Sequence, residues 1–333
     1  MKILITGTAG FIGFHLSKLL LDRGFEVHGY DGLTDYYDVN LKINRLNILL
    51  KNSNFFTTKA MLEDKDKLQE VAYKFNPDII FHLAAQAGVR YSLENPGSYI
   101  NSNIIGTFNV MEVARKFKVK HLLMASTSSV YGANTKMPFK EIDKADTQLT
   151  IYAATKKANE SMAHSYSYLW QIPTTMFRFF TVYGPWGRPD MALFKFVSAI
   201  LKEKPIDIYN NGDMYRDFTY VDDLVHAISL LIDSTPSNNK NISSLDSLSP
   251  VAPYRVVNIG NSNKIKLLDF IEAIENIIGK KAVRNYMPMQ KGDVNATWAE
   301  ATLLNTLTNY KPQTDFKKGI REFIKWYREY YNE

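Results

Sequence analysis

Tyr152 and Lys156 stand four residues apart, a spacing that puts both on one face of a helix. An ammonium beside a phenol favours the phenolate, so such a pair can take or return a hydroxyl proton near neutral pH. Alone the pattern means little. With 20 tyrosines in 333 residues, on the order of one or two such pairs arise by chance. Context changes its weight. The run Ser126-Thr127-Ser128-Ser129 ends an apolar stretch upstream of the tyrosine, and a hydroxyl there would hold a reacting oxygen beside it. Helix capping also explains a hydroxyl run of this kind. A third feature is Gly7-Thr8-Ala9-Gly10-Phe11-Ile12-Gly13, which follows a strand and opens a helix. Its first glycine allows a tight turn and its second lets backbone approach a pyrophosphate. The third permits close packing of helix on strand, and the helix N-terminus faces the negative charge.

Asp31 ends the second strand, near the ~20-residue offset of an acid that binds the adenosine ribose. A carboxylate there repels a 2′-phosphate and no arginine follows directly, so NAD is expected rather than NADP. A solvated aspartate in a turn before Gly32 is the bland alternative.

Groups this far apart in the chain must be carried by a frame that gathers strand ends. The first half supplies one: short apolar runs alternate with helical patterns, as in a doubly wound parallel sheet. Strands are expected at Ile3 to Thr6, Glu26 to Tyr30, Asn54 to Thr58, Asp78 to Leu83, Val119 to Ser126 and Thr174 to Phe180. Helices are expected over Phe11 to Arg23, 97–117 and 151–170. Beyond Phe180, Tyr183-Gly184-Pro185-Trp186-Gly187-Arg188-Pro189 reads as a loop, and helical patterns recur at 191–203, 221–233, 265–279 and 315–331. Residues 234–250 are polar and Ser/Asn-rich, which predicts an exposed insertion. The fold class is therefore α/β: a Rossmann-type doubly wound sheet over residues 1–180, with segments from about 210–260 returning to it. Residues 181–333 form mainly a smaller α/β lobe for the second ligand.

Composition narrows the chemistry. There are no cysteines, which excludes disulfides, thiolate nucleophiles and cysteine zinc sites. The six histidines are scattered, and His82 lies inside an apolar run as a core residue would; no metal is expected. The net charge of +6 suits an anionic ligand without any basic block that would mark nucleic-acid binding. No apolar run reaches the roughly 20 residues of a membrane span, and the N-terminus lacks a secretory pattern. A cytoplasmic protein with no membrane partner is expected.

The chain resembles the extended short-chain dehydrogenase/reductase family along almost its whole length. The resemblance rests on Gly7-x-x-Gly10-x-x-Gly13, His82-Leu83-Ala84-Ala85-Gln86, the hydroxyl run leading to Val130-Tyr131-Gly132, and Tyr152-x-x-x-Lys156. It continues through Arg178-Phe179-Phe180 and Tyr183-Gly184-Pro185. Arg216-Asp217-Phe218-Thr219-Tyr220-Val221-Asp222-Asp223, with Gly292-Asp293-Val294, looks like the nucleotide-sugar branch. The resemblance implies Tyr152, Lys156 and Thr127 as catalytic residues. It implies a cofactor cradle of Gly7, Gly10, Phe11, Ile12, Gly13, Asp31, Leu83, Ala84, Ala85 and Lys156. Arg216 would meet the diphosphate and Asp293 the uridine ribose, although a surface ion pair of Arg216 with Asp213 or Asp217 is the alternative.

Relatives that dehydrate the sugar carry an Asp-Glu pair where this chain has Ser128 and Ser129. Relatives that decarboxylate a glucuronate carry a glutamate where Ser129 stands. The remaining chemistry is inversion of carbon 4 through a transient 4-keto sugar. Gly184-Pro185-Trp186-Gly187-Arg188-Pro189-Asp190-Met191-Ala192 and Gln86-Ala87-Gly88-Val89-Arg90-Tyr91-Ser92 look most like UDP-glucuronate 4-epimerases. By that resemblance Arg188 holds the sugar carboxylate, with Thr127, Ser128, Ser129 and Thr181 nearby. Arg90 suits packing beneath the site as well as a ligand role. Where many relatives have an aspartate for the adenine amine, this chain has Met61, with Glu63 or Asp64 as candidates to compensate. A neutral UDP-hexose or N-acetylhexosamine epimerase, and a non-catalytic NAD-binding sensor, are the alternatives. Helices 97–117 and 151–170 resemble the pair through which relatives form homodimers.

Overall fold

Strands buried on both faces must be apolar nearly throughout, and His121–Thr127 and Thr174–Phe179 are buried at every position. The computed structural model describes residues 1–238 and 241–333. Its main sheet has seven strands: β1 (Lys2–Thr6), β2 (Glu26–Asp31), β3 (Phe55–Lys59), β4 (Ile79–His82), β5 (His121–Thr127), β6 (Thr174–Phe179) and β7 (Tyr254–Ile259). Their spatial order is β7-β6-β5-β4-β1-β2-β3, all parallel. The order reverses between β1 and β4. A crevice opens at such a switch point, beyond the carboxyl ends of the strands.

β7 reaches the sheet from late in the chain, pairing Val257 with Phe177. The helix Val221–Leu230 lies against Phe11–Asp22. The remaining lobe is built on Tyr215–Tyr220, which pairs with Thr181–Tyr183, Lys264–Lys266 and Ala296–Thr297. Phe218 and Phe270 stack in its core with ring centroids 3.9 Å apart.

Two expectations need correction, and two helices were missed. The helix expected over 97–117 is broken: Pro96–Tyr99 leads into a π-helical stretch, Ile100–Gly106, before the α-helix Thr107–Phe117. The widened turn buries Asn103, whose amide bonds Gln86 N, Gln86 O and the Thr155 hydroxyl. Residues 234–250 are not simply an exposed insertion. Asp246 is buried in a bidentate pair with Arg255, and Ser249 meets His164; Asn239 and Lys240 lie outside the described residues. Two helices, Val39–Leu49 and Lys65–Phe75, were not expected at all.

Behind the ends of β5 and β6 lies a buried polar layer. Arg178 pairs with both carboxylate oxygens of Glu160, at 2.9 and 2.8 Å. Glu141 accepts from Asn258 N at 2.9 Å, and burial pushes its carboxyl up from 4.5 to about 7. A carboxyl whose native pKa is raised stabilises the fold most below its unfolded value. That stability is lost as pH rises through the native value, here between about 4.5 and 7. The ionised form therefore costs up to about 3 kcal/mol above pH 7. Glu141→Gln keeps an acceptor for Asn258 and removes the charge. Thermal melts should show the variant gaining stability at pH 8 and almost none at pH 4; an equal effect at both would contradict the account.

Candidate active site

Gly7 takes φ +82°, and a Cβ there would come within 2.8 Å of the Ala84 backbone nitrogen. The turn after β1 is thus pressed against the segment after β4, on either side of the switch point. At Gly13 a Cβ would overlap the Gly7 carbonyl, so that glycine serves helix-on-turn packing rather than a ligand. Gly7, Gly10, Phe11, Ile12 and Gly13 line a cavity of about 450 Å³ with Asp31, Leu83, Ala84 and Ala85. Asp31 accepts the backbone N–H of Ala9 and of Leu33, both at 2.9 Å, which fixes the carboxylate at the edge of that cavity. This cradle fits a dinucleotide: a glycine turn with no room for side chains, a helix N-terminus and an acid at the end of β2.

The cradle has features the sequence did not disclose. Arg45, fully buried, donates to the carbonyls of Ala9 and Trp186 at 2.8 and 2.6 Å. It ties the glycine turn to the loop that carries Arg188. Lys42 lines the cavity near Asp31, its ammonium bound to Thr34. Close to Gly32, Met61 lines the cavity, whereas Glu63 and Asp64 do not. Asp64 instead caps the helix Lys65–Phe75 by accepting from Lys67 N at 3.0 Å.

Tyr152, Thr127, Ser128, Ser129, Lys156, Thr181, Arg188, Arg216 and Asp293 line the same cavity. Thr127 ends β5 and caps the short 3-10 turn Ser128–Tyr131, accepting from Ser129 N at 3.2 Å. Ser126 points the other way, donating to Glu160 at 2.7 Å. Lys156 donates to Ala125 O at 2.8 Å, and burial lowers its pKa to about 8. Burial raises the Tyr152 pKa, while the Thr127 hydroxyl and the Arg188 charge favour the phenolate.

Arg188 donates through Nε and Nη2 to Asp190, at 3.0 and 2.5 Å. Tyr36 also donates to Asp190, at 3.2 Å. Arg216 makes no ion pair with Asp213 or Asp217. It donates instead to the carbonyls of Tyr215 and Asn295, at 2.9 and 3.2 Å. Asp217 is spent on the N–H groups of Asn261, Ser262 and Ala299. Arg90 does not itself line the cavity but is tied to a residue that does: it meets Asp293 at 3.1 Å and lies over the Tyr209 ring at 4.1 Å. No local signal links Arg90 to Asp293, which come together only in the tertiary fold. His82 bridges Thr6 and Thr107 inside the core.

A parallel sheet with a glycine cradle at its switch point, joined to a hydroxyl–tyrosine–lysine set, defines the extended short-chain dehydrogenase class. The family model described as GDP-mannose 4,6 dehydratase matches residues 4–323, and the chain belongs to this family. It is 53% identical over 334 residues to a probable UDP-glucuronate 4-epimerase of Rhizobium meliloti (strain 1021), covering 99% of this chain and 98% of that protein. It is also 53% identical over 335 residues to Protein CapI of Staphylococcus aureus, covering 100% of both. Among solved structures it is similar to UDP-glucuronic acid 4-epimerase from Bacillus cereus in complex with UDP-glucuronic acid and NAD. There the TM-score is 0.89 at 32% identity, with 99% of this chain and 100% of that one covered.

Proposed function

We propose that this chain catalyses the NAD-dependent 4-epimerisation of UDP-glucuronate to UDP-galacturonate. The observation that carries the reading is the meeting of Thr127, Tyr152 and Arg188 in one cavity with the glycine cradle. The relatives' common activity supports it.

The glycine turn, Asp31 and Lys156 would hold NAD, which would supply the hydride acceptor and donor at C4. Tyr152 removes the proton of the C4 hydroxyl and later returns it to the inverted alcohol. Thr127 holds that oxygen, and with Arg188 it favours the phenolate. Arg216 and Asp293 anchor the diphosphate and uridine ribose, so the sugar turns about a fixed nucleotide. Ser128, Ser129 and Thr181 supply neutral hydrogen bonds around the sugar, without the acid–base pair that eliminating water would need. Arg188 grips the carboxylate, because a planar fork of donors matches one. The grip has a second purpose. A 4-keto uronate is a β-keto acid, which loses carbon dioxide when its carboxylate stands perpendicular to the ring plane. Arg188 holds it out of that alignment.

One observation favours a neutral sugar: Arg188 already carries a carboxylate partner in Asp190. Incubation with UDP-glucuronate, followed through the anomeric proton signals by NMR, separates the readings. A C4-epimer growing to a stable mixture is expected. Untouched UDP-glucuronate with turnover of UDP-glucose or UDP-N-acetylglucosamine would transfer the assignment to the neutral sugars.

Residues 1–180, with later segments, are read as the NAD-binding unit and 181–333 as mainly the nucleotide-sugar lobe. A homodimer is read from the exposed Ile100, Ile105 and Phe108 on the helical face near 97–117. Among the described residues no helix is long and apolar enough to cross a membrane. A cytoplasmic role in making polysaccharide precursors is the setting that such a product fits.

A further inference from the structure

Arg188 enters the cavity with one edge of its guanidinium occupied. A guanidinium offers a carboxylate two side-on edges, Nε with Nη2 and Nη1 with Nη2. Asp190 takes the first, at 3.0 and 2.5 Å. Nη1 makes no hydrogen bond to the described residues. Arg188 and Tyr36 line the cavity, but Asp190 does not. Asp190 therefore stands behind the arginine, and Tyr36 holds it from the side at 3.2 Å.

We propose that Asp190, steadied by Tyr36, is a positioning residue that aims the Nη1/Nη2 edge of Arg188 at the sugar carboxylate. The proposal rests on the UDP-glucuronate reading. An arginine with free rotamers would meet a carboxylate from several directions, and only some keep it near the ring plane. A two-point brace removes that freedom before substrate arrives. Burial by itself would raise the Asp190 pKa, but the Arg188 charge and the Tyr36 hydrogen bond hold it below the usual range. The brace is thus charged at neutral pH.

The aim decides the product. If the carboxylate of the 4-keto sugar turns perpendicular, the C5–C6 bond breaks and carbon dioxide leaves. The electron pair passes into the C5–C4–O4 enolate, and water protonates C5 to give a UDP-4-keto-pentose. The two electrons already taken from C4 then remain as NADH.

Asp190→Asn removes the charge and one acceptor with little change of shape. In the NAD-loaded full chain, epimerisation of UDP-glucuronate should fall at least tenfold, with UDP-4-keto-pentose and NADH appearing. Tyr36→Phe, which spares the ion pair, should move the product ratio the same way by about threefold. Slower but clean epimerisation would mean that Asp190 is merely structural, and would overturn the proposal. Calorimetric binding on a Tyr152→Phe background supplies a readout without turnover. Asp190→Asn should raise the Kd for UDP-glucuronate at least fivefold and leave that for UDP-glucose unchanged; equal weakening of both refutes the aim. If the unaltered chain failed to epimerise UDP-glucuronate, the functional reading would fall. The binding comparison would still decide the role of Asp190.

Discussion

Tyr152→Phe is expected to lower epimerisation by roughly 10²–10⁴-fold, the range for loss of a positioned general acid–base, while NAD stays bound. The hydroxyl is the only group removed, and the ring keeps its edge contact with Tyr99 at 6.0 Å. Cofactor retention is the informative half. Asp31 and the glycine turn lie at the ends of β2 and β1, apart from the phenol, so fluorescence titration should give an almost unchanged NAD affinity. A protein that used NAD only as a sensor would show no loss in its response. Burial raises the Tyr152 pKa and the Arg188 charge opposes it, so the rate of the unaltered chain should rise with pH through neutrality. Survival of full activity in Tyr152→Phe would mean that another group moves the C4 proton.

Arg188→Ala should cost about 10²-fold in kcat/KM for UDP-glucuronate, corresponding to about 3 kcal/mol of charged hydrogen bonding. It should also change the product, because the 4-keto acid is no longer held against loss of carbon dioxide. Three readouts separate the causes. Removing the arginine leaves Asp190 with Tyr36 as its one hydrogen-bonding side chain, so the melting temperature should fall. Breaking a largely buried pair costs roughly 3–5 kcal/mol. Instability lowers the amount of active protein but does not convert a hexuronate product into a pentose. The pH–rate profile should move to alkaline pH, a separate readout, since it reports loss of the Arg188 charge beside Tyr152. Clean epimerisation of UDP-glucuronate at an unchanged rate would exclude Arg188 from carboxylate binding.

The main frame was legible because its signals are local. An apolar run of strand length, a glycine turn and a helix start at Phe11 follow one another in the chain, and each has a short-range physical cause. The six strands expected before residue 180 all form, with ends shifted by one or two residues. The helix Val39–Leu49 escaped notice because its mean hydropathy is close to neutral. Its inward positions include Lys42 and Arg45, whose stems and charges are buried against Tyr37 and the Ala9 carbonyl. The break at Ile100–Gly106 was equally invisible, since it is made by Asn103 bonding the Gln86 segment across the fold.

Chain order alone determined the sheet class, the cofactor turn, the acid at Asp31 and the tyrosine–lysine pair, because each depends on neighbours within a few turns of backbone. Tertiary structure decided which charge acts on which group. Lys156 donates to Ala125 O, Ser126 is turned into the core, and Arg188, far along the chain, brings its charge to the Tyr152 phenol. It also joined Arg90 to Asp293 across 203 residues of chain. Hydrogen bonds and ion pairs act over a few ångströms, so their partners are set by where strands and loops converge rather than by order along the chain.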